Sequence, residues 1–195
     1  FLTRLPTFTS LFLSRTRVYN DFKQRIDEIQ SVINIKGLDE QKQNIINKLS
    51  YINIITSLDT FICDIILTKI IQDEESFNNF FNSIPPCKKK DEMTKLKEDN
   101  LVAQWEQKAI EYVMRTSYSN IDTIKDILKE LFKVSIIDTN GKMKKHFYYR
   151  NLLAHRNGRK KDGGYINITN EELKSLITDT QSIAKQIQTK IKPEH

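Results

Sequence analysis

The sequence predicts an all-α fold, a helical bundle, on three observations. Apolar side chains recur at steps of three and four along almost the whole chain, the period of a helix with one buried face. Only 5 glycines and 4 prolines in 195 residues leave little punctuation for a fold of many short strands. Capping signals also stand where the apolar stepping begins and ends. A hydrophobic fraction of 38% against 29% charged residues is globular rather than disordered. The length suits one helical domain with a substantial core, placed at 21–192 behind an N-terminal arm or linker at 1–20.

That arm, "FLTRLPTFTSLFLSRTRVYN", carries no acidic residue and several Arg, Ser and Thr. Its first residue is Phe rather than Met, as in a piece of a longer chain. The first helix follows from Val18, Phe22, Ile26, Ile29 and Ile33, and Gly37 marks its end. Ile45, Leu49, Ile52, Ile55, Leu58, Ile62 and Ile65 continue the step through a long helix to about residue 72. A short helical piece at 77–81 precedes Pro85 and Pro86, which break any helix. Leu101, Trp105, Val113 and Met114 belong to a third segment, and Ile121, Ile124, Leu128 and Leu131 to a fourth. "DTNGK" is a turn. A penultimate helix runs from about 142 to 156, with Gly158 placed as its C-cap. "YINI" at 165–168 is the one stretch with any strand character. Thr169 and Glu172 then have capping-box spacing, opening a last helix striped by Leu173, Leu176, Ile177, Ile183, Ile187 and Ile191.

Several function classes find no support. Cys63 and Cys87 make no disulfide framework and have no metal-ligand spacing; Cys63 reads as a small core residue. The pattern fits a reducing, cytoplasmic setting. The richest apolar run, "YINIITSLDTFICDIILTKII", is interrupted by Asp59, Asp64 and Lys69, so it reads as a buried helix and not a membrane span. Three histidines offer no carboxylate–histidine spacing for a metal, and no nucleophile–base pattern is present. A net charge of +6 is compatible with a polyanionic partner.

The chemistry-bearing stretch is "YYRNLLAHRNGRKKDGG", residues 148–164. Arg150 and His155 lie roughly 140° apart around an ideal helix, yet both side chains are long enough to reach one cleft at its end. Asn151 stands one turn before His155, so the two can meet. Imidazole, which ordinarily titrates near pH ~6.5, can accept and donate a proton at neutral pH. Guanidinium keeps its charge and matches a phosphate in shape. Together they are a workable metal-free set for cutting RNA: the histidine activates the ribose 2′-hydroxyl and the arginine stabilises the crowded phosphorane. Arg156, Arg159, Lys160 and Lys161 would add phosphate contacts, and Tyr148, Tyr149 and Tyr165 are candidates for base stacking.

"RNLLAHRNG" resembles the Arg-x4-His motif of HEPN domains (higher eukaryotes and prokaryotes nucleotide-binding), with Asn151 matching the polar residue that follows the arginine. The resemblance extends over about 45–190, through "ITSLDTFICDIIL" and "YINITNEELKSLI", and is nearest to the RiboL-PSP and MAE-type groups. It implies a helical bundle that often forms a homodimer with the motif helices face to face. For many members it implies a cofactor-free endoribonuclease in toxin–antitoxin, abortive-infection or antiviral defence. Carried over residue by residue, Arg150 and His155 take the catalytic positions and Asn151 the supporting one. A toxin needs restraint, by an antitoxin or a fused regulatory domain.

Plainer readings stand beside these. His155 could serve only as a charge at the helix C-terminus, Arg150 as an ion-pair partner, the 156–161 cations as a solvated loop, and each tyrosine as packing. His146 reads as a packing or surface residue rather than a second catalyst. The corresponding second function is a non-catalytic helical module that binds RNA, a nucleotide or a protein partner.

Overall fold

The structure is a computed structural model that describes residues 15–72, 75–76, 110–116, 118 and 120–191. Among them, five helices carry the fold: α1 (Arg15–Ile33), α2 (Glu40–Gln72), α3 (Ile121–Phe132), α4 (Lys142–Arg156) and α5 (Asn170–Lys190). Residues 110–115 are also helical, and a 3-10 turn, Thr139–Gly141, precedes α4. No strand forms among the described residues. The helical piece expected at 77–81, the Pro85–Pro86 break, Cys87, Leu101 and Trp105 lie outside them.

Two starts differ from the apolar stepping. α1 opens at Arg15, within the stretch read as an arm, and Val18 is already buried there. α2 opens at Glu40 rather than near Ile45, because Asp39 caps it: its carboxylate accepts the Lys42 N–H at 2.8 Å. A cap makes the polar first turn helical, which apolar spacing does not register. Ile45 and Leu49, counted in the buried stripe, are instead 52% and 55% exposed.

From Tyr51 onward α2 is the core. Tyr51, Ile54, Ile55, Leu58, Phe61, Ile62, Ile65, Ile66, Leu67 and Ile70 are all buried, and they point to most sides of the helix. α2 is the one described helix long and apolar enough to cross a membrane, and most of its apolar window is buried inside the protein, as in a core helix. α1 covers one side, with the Phe22 ring 5.3 Å from that of Phe61. α5 covers another with Leu173, Leu176 and Ile183, and α4 a third. α3 buries Ile121, Ile124, Leu128 and Leu131, and its N-cap Asn120 accepts the Asp122 N–H at 2.9 Å. The link from α3 to α4 is tied to α5 by Gln186, whose side-chain amide exchanges two hydrogen bonds with the Ile137 backbone, at 2.9 and 3.1 Å.

The predicted capping box opens α5: Thr169 Oγ1 accepts the Glu172 N–H at 3.2 Å and Glu172 accepts the Thr169 N–H at 3.1 Å. At the end of α4 the cap falls on Asn157 (φ 49°) rather than on Gly158. Gly158 follows at φ 78° and donates its N–H to the Leu152 carbonyl at 2.9 Å, closing the turn. "YINI" runs extended but forms only a single bridge, Tyr165 to Arg159.

One polar junction interrupts the apolar packing. His146 of α4 is buried, with Nδ1 2.7 Å from the Tyr51 hydroxyl of α2 and Nε2 3.0 Å from Asp179 Oδ2 of α5. A carboxylate only accepts, so Nε2 donates to Asp179 and Nδ1 accepts from Tyr51. Ser175 and Lys142 complete the surroundings of Asp179, at 3.2 and 3.7 Å. His146 is thus a packing residue that joins three helices.

This packing generates two predictions. Gly158→Ala combines a left-handed backbone with a Cβ 3.3 Å from Leu153 Cδ2, and is expected to cost about 1–3 kcal/mol in urea unfolding. Burial holds the His146 imidazole below its ordinary pKa, against the opposing pull of Asp179. The unfolded chain therefore takes up this proton at higher pH than the folded one. The stability tied to neutral His146 is complete above pH ~6.5 and declines as pH falls below it. A wild-type Tm that drops between pH ~7 and ~5, with a smaller drop in His146→Gln from a lower starting value, is the expected calorimetric result.

Candidate active site

The motif sits on the last two turns of α4, and the helix gives its residues different surroundings. Tyr148, Asn151 and His155 step by three and four along one solvent-facing stripe, and all three are exposed. His155 makes no hydrogen bond or ion pair among the described residues, so its imidazole is free to meet a ligand. Arg150 lies off this stripe and is half-buried towards α2. Its Nη1 donates to Asn151 Oδ1 at 3.1 Å. Asn151 thus accepts from the guanidinium and stands one turn before His155 along the helix.

Asp59 of α2 feels the Arg150 charge, but the two side chains form no ion pair. Burial raises the Asp59 carboxyl above its ordinary pKa and outweighs the lowering pull of the Arg150 charge and of the Tyr118 backbone. Arg150 Nε and Asp59 Oδ1 are each out of contact with water and without a hydrogen-bond partner. Asp59 was legible in the sequence only as an interruption of an apolar run; nothing in its spacing connected it to Arg150. It borders a groove of about 300 Å³ along α2, with Thr56, Thr60, Cys63 and Asp64 on one side and Met114, Thr116 and Tyr118 on the other. Cys63 is half-buried there, and burial pushes its thiol up to about 12, as suits an unreactive packing residue.

After Asn157 the chain forms a tight loop. Lys160 N–H donates to Gly164 O at 2.8 Å, Ile166 N–H to Gly158 O at 2.9 Å, and Asp162 accepts the Gly164 N–H at 3.0 Å. Arg156, Arg159 and Lys161 are exposed and Lys160 is half-buried. No acidic side chain lies within ion-pair distance of these four among the described residues. The cations nearer the start of α4 are compensated instead: Lys144 meets Asp122 of α3 at 2.8 Å and Lys142 meets Asp179 of α5.

The aromatic candidates separate. Tyr165 is 63% exposed beside the loop cations and Tyr148 is 49% exposed on the His155 stripe. Tyr149 is half-buried instead, its ring 6.4 Å from Tyr51 and capped by Lys145 Nζ at 5.1 Å, which leaves it little free face. Arg150, Asn151, His155 and the four loop cations thus share one end of the molecule, with Tyr149 turned inward. Among the described residues no group of three or more His, Cys, Asp or Glu side chains lies close enough to hold a metal ion.

No curated protein and no solved structure matches the chain. The family model for RiboL-PSP-HEPN matches it over residues 20–193. That span takes in all of α2 to α5 together with the Arg150–His155 motif, and the chain belongs to the RiboL-PSP-HEPN family.

Proposed function

We propose that this chain is a metal-independent endoribonuclease using Arg150 and His155, with Asn151 holding the arginine. Membership of a HEPN family points to an RNA-related function. The observation that carries the finer reading is the end of α4: an unengaged, exposed imidazole, a guanidinium five residues earlier on the same helix that makes one described hydrogen bond, and a loop of cations with no acidic partner among the described residues. His155 takes the proton of a ribose 2′-hydroxyl, and the oxygen attacks the adjacent phosphorus. The bond to the 5′-oxygen breaks, and that oxygen takes up a proton to leave as a hydroxyl. Arg150 stabilises the negative charge on the phosphorane, where fixed donors act most strongly. The products are a 2′,3′-cyclic phosphate and a 5′-hydroxyl. Arg156, Arg159, Lys160 and Lys161 bind the backbone, and Tyr165 offers an open face for a base.

A homodimer would set two such ends against one substrate, and an effector role in a toxin–antitoxin or antiviral system would require a restraining antitoxin or fused domain. The second reading, a non-catalytic module for RNA, a nucleotide or a protein, draws on the exposed apolar side chains Ile45 and Leu49 of α2.

The test is cleavage of mixed single-stranded and transfer RNA in EDTA by the full chain. Wild type should leave cyclic-phosphate ends, and Arg150→Ala and His155→Ala should each lose about 10²-fold or more in rate while keeping native helicity. A folded wild type that cuts no RNA, or a His155→Ala variant with full activity, would reject the mechanism in favour of the binding module. Separately, Lys160→Ala with Lys161→Ala should raise KM and reduce the salt slope of RNA binding by about 1 for each phosphate no longer neutralised, with kcat little changed.

A further inference from the structure

We infer that Tyr148 is a stacking subsite for an unpaired base next to the scissile phosphate, held ready by a row of aromatic rings anchored in the core. The inference rests on the ribonuclease reading of Arg150 and His155. Three observations carry it. Tyr148 shares the solvent-facing stripe of Asn151 and His155, two turns of helix and about 10 Å of rise before the imidazole. Its side chain is 49% exposed, and its ring meets that of Tyr149 at 6.1 Å between centroids. Tyr149 lies in turn 6.4 Å from Tyr51, which is buried, and Lys145 Nζ stands 5.1 Å from the Tyr149 ring centre.

Both ring separations fall in the favourable range for aromatic pairs, ~4.5–7 Å. Tyr51 is fixed by its 2.7 Å hydrogen bond to His146, Tyr149 rests on Tyr51, and Tyr148 leans on Tyr149 at a tilt of 49°. A ring backed in this way has less freedom to lose when a ligand stacks on it. Tyr149 gives its ring to neighbours, whereas Tyr148 keeps an open area on the stripe that ends at His155. Stacking there needs a base with a bare face. Inside a duplex both faces are covered by neighbouring bases, so the nucleotide is unpaired. Charge points to the same partner, because the cations after α4 have no acidic partner among the described residues. Tyr165, 63% exposed and bridged through its backbone to Arg159, sets a second open ring at the end of the helix. His155 thus stands between two rings, as suits a single strand crossing the end of α4 with a base on each side of the cut. A guanidinium only donates, so Asn151 turns its oxygen to Arg150 and keeps its N–H donors for the strand.

The probe is a single-stranded 2′-O-methyl RNA, which has no free hydroxyl to attack, carrying one fluorescent adenine analogue at successive positions. It is titrated with the full 195-residue chain. In wild type an analogue that stacks on a ring is quenched on binding. Tyr148→Phe keeps the ring and should keep the quenching. Tyr148→Leu should abolish it at one position and weaken binding about 5- to 100-fold, the range for one lost base–aromatic stack. No phosphate contact is removed, so the salt slope of binding should stay that of wild type. Annealing the probe to its complement should remove the quenching that depends on Tyr148. With cleavable RNA, Tyr148→Leu should raise KM and leave kcat nearly constant. Unchanged quenching and affinity in Tyr148→Leu overturns the inference, and so does an equal loss in Tyr148→Phe, which would assign the effect to the hydroxyl. A Tyr148→Leu variant whose only change is a lower mass in solution assigns the ring to a contact between two copies and overturns it as well. A wild type that quenches the probe but cuts no RNA overturns the ribonuclease reading instead, and leaves Tyr148 as a base-binding site. A wild type that binds neither this probe nor its unmethylated form overturns both.

Discussion

The fold depends on covering α2. A helix whose apolar residues point to most sides cannot rest against a single neighbour, because each side left open would expose a run of isoleucines and leucines. α1 and α5 cover it with largely apolar faces of their own. α4 is different: it is rich in cations, and it turns the polar His146 and, in part, Arg150 inward while its lysines stay exposed. Such a sequence can lie there only if its inward-facing polar groups find partners, since a buried polar group without one costs more than its packing returns. Tyr51 and Asp179 supply them for His146, and Asn151 accepts one hydrogen bond from Arg150.

These contacts fix α4 in both rotation and height. Tyr51 and Asp179 belong to different helices, so His146 can satisfy both only at one setting of α4 between them. Asn47, a turn earlier on α2, donates to the Ile168 carbonyl at 2.9 Å and so holds the segment that leads from the loop into α5. Gly158 joins that segment to the end of α4 through the bond from the Ile166 N–H. The solvent-facing stripe that ends at His155 therefore takes its position from core contacts more than a turn away.

Much of the fold was legible because it rests on periodicity and local capping. The stepping in α3 and α5, the Thr169–Glu172 box and the turn before α4 are all short-range patterns, and the structure reproduces them. The start of α2 was less legible because a polar capped turn carries no apolar signal. Ile45 and Leu49 obeyed the spacing and are nonetheless exposed, since periodicity says which residues share a face, not whether another element covers it. At the site, the Arg150–His155 spacing was visible as a motif, but the surroundings were not. Tyr51 and Asp179 reach α4 from helices distant in sequence, and only tertiary packing brings them there. Tyr149 shows the same limit from the other side: being next to the motif in sequence turns it towards Tyr51 rather than towards the loop.

The distribution of charge along α4 connects this packing to its chemistry. Three lysines in its first turn face the positive end of the helix dipole, an unfavourable place for cations. Asp122 and Asp179, from α3 and α5, compensate two of them, and the Tyr149 ring lies under the third. At the other end, His155 and Arg156 stand where the dipole favours positive charge, and the loop adds Arg159, Lys160 and Lys161 with no acidic partner among the described residues. The positive charge of this region is thus largely cancelled where α4 begins and left uncancelled where it ends. An anion meeting the molecule here is directed to the end that holds the free imidazole, and the acidic residues that hold α4 in place also set that direction.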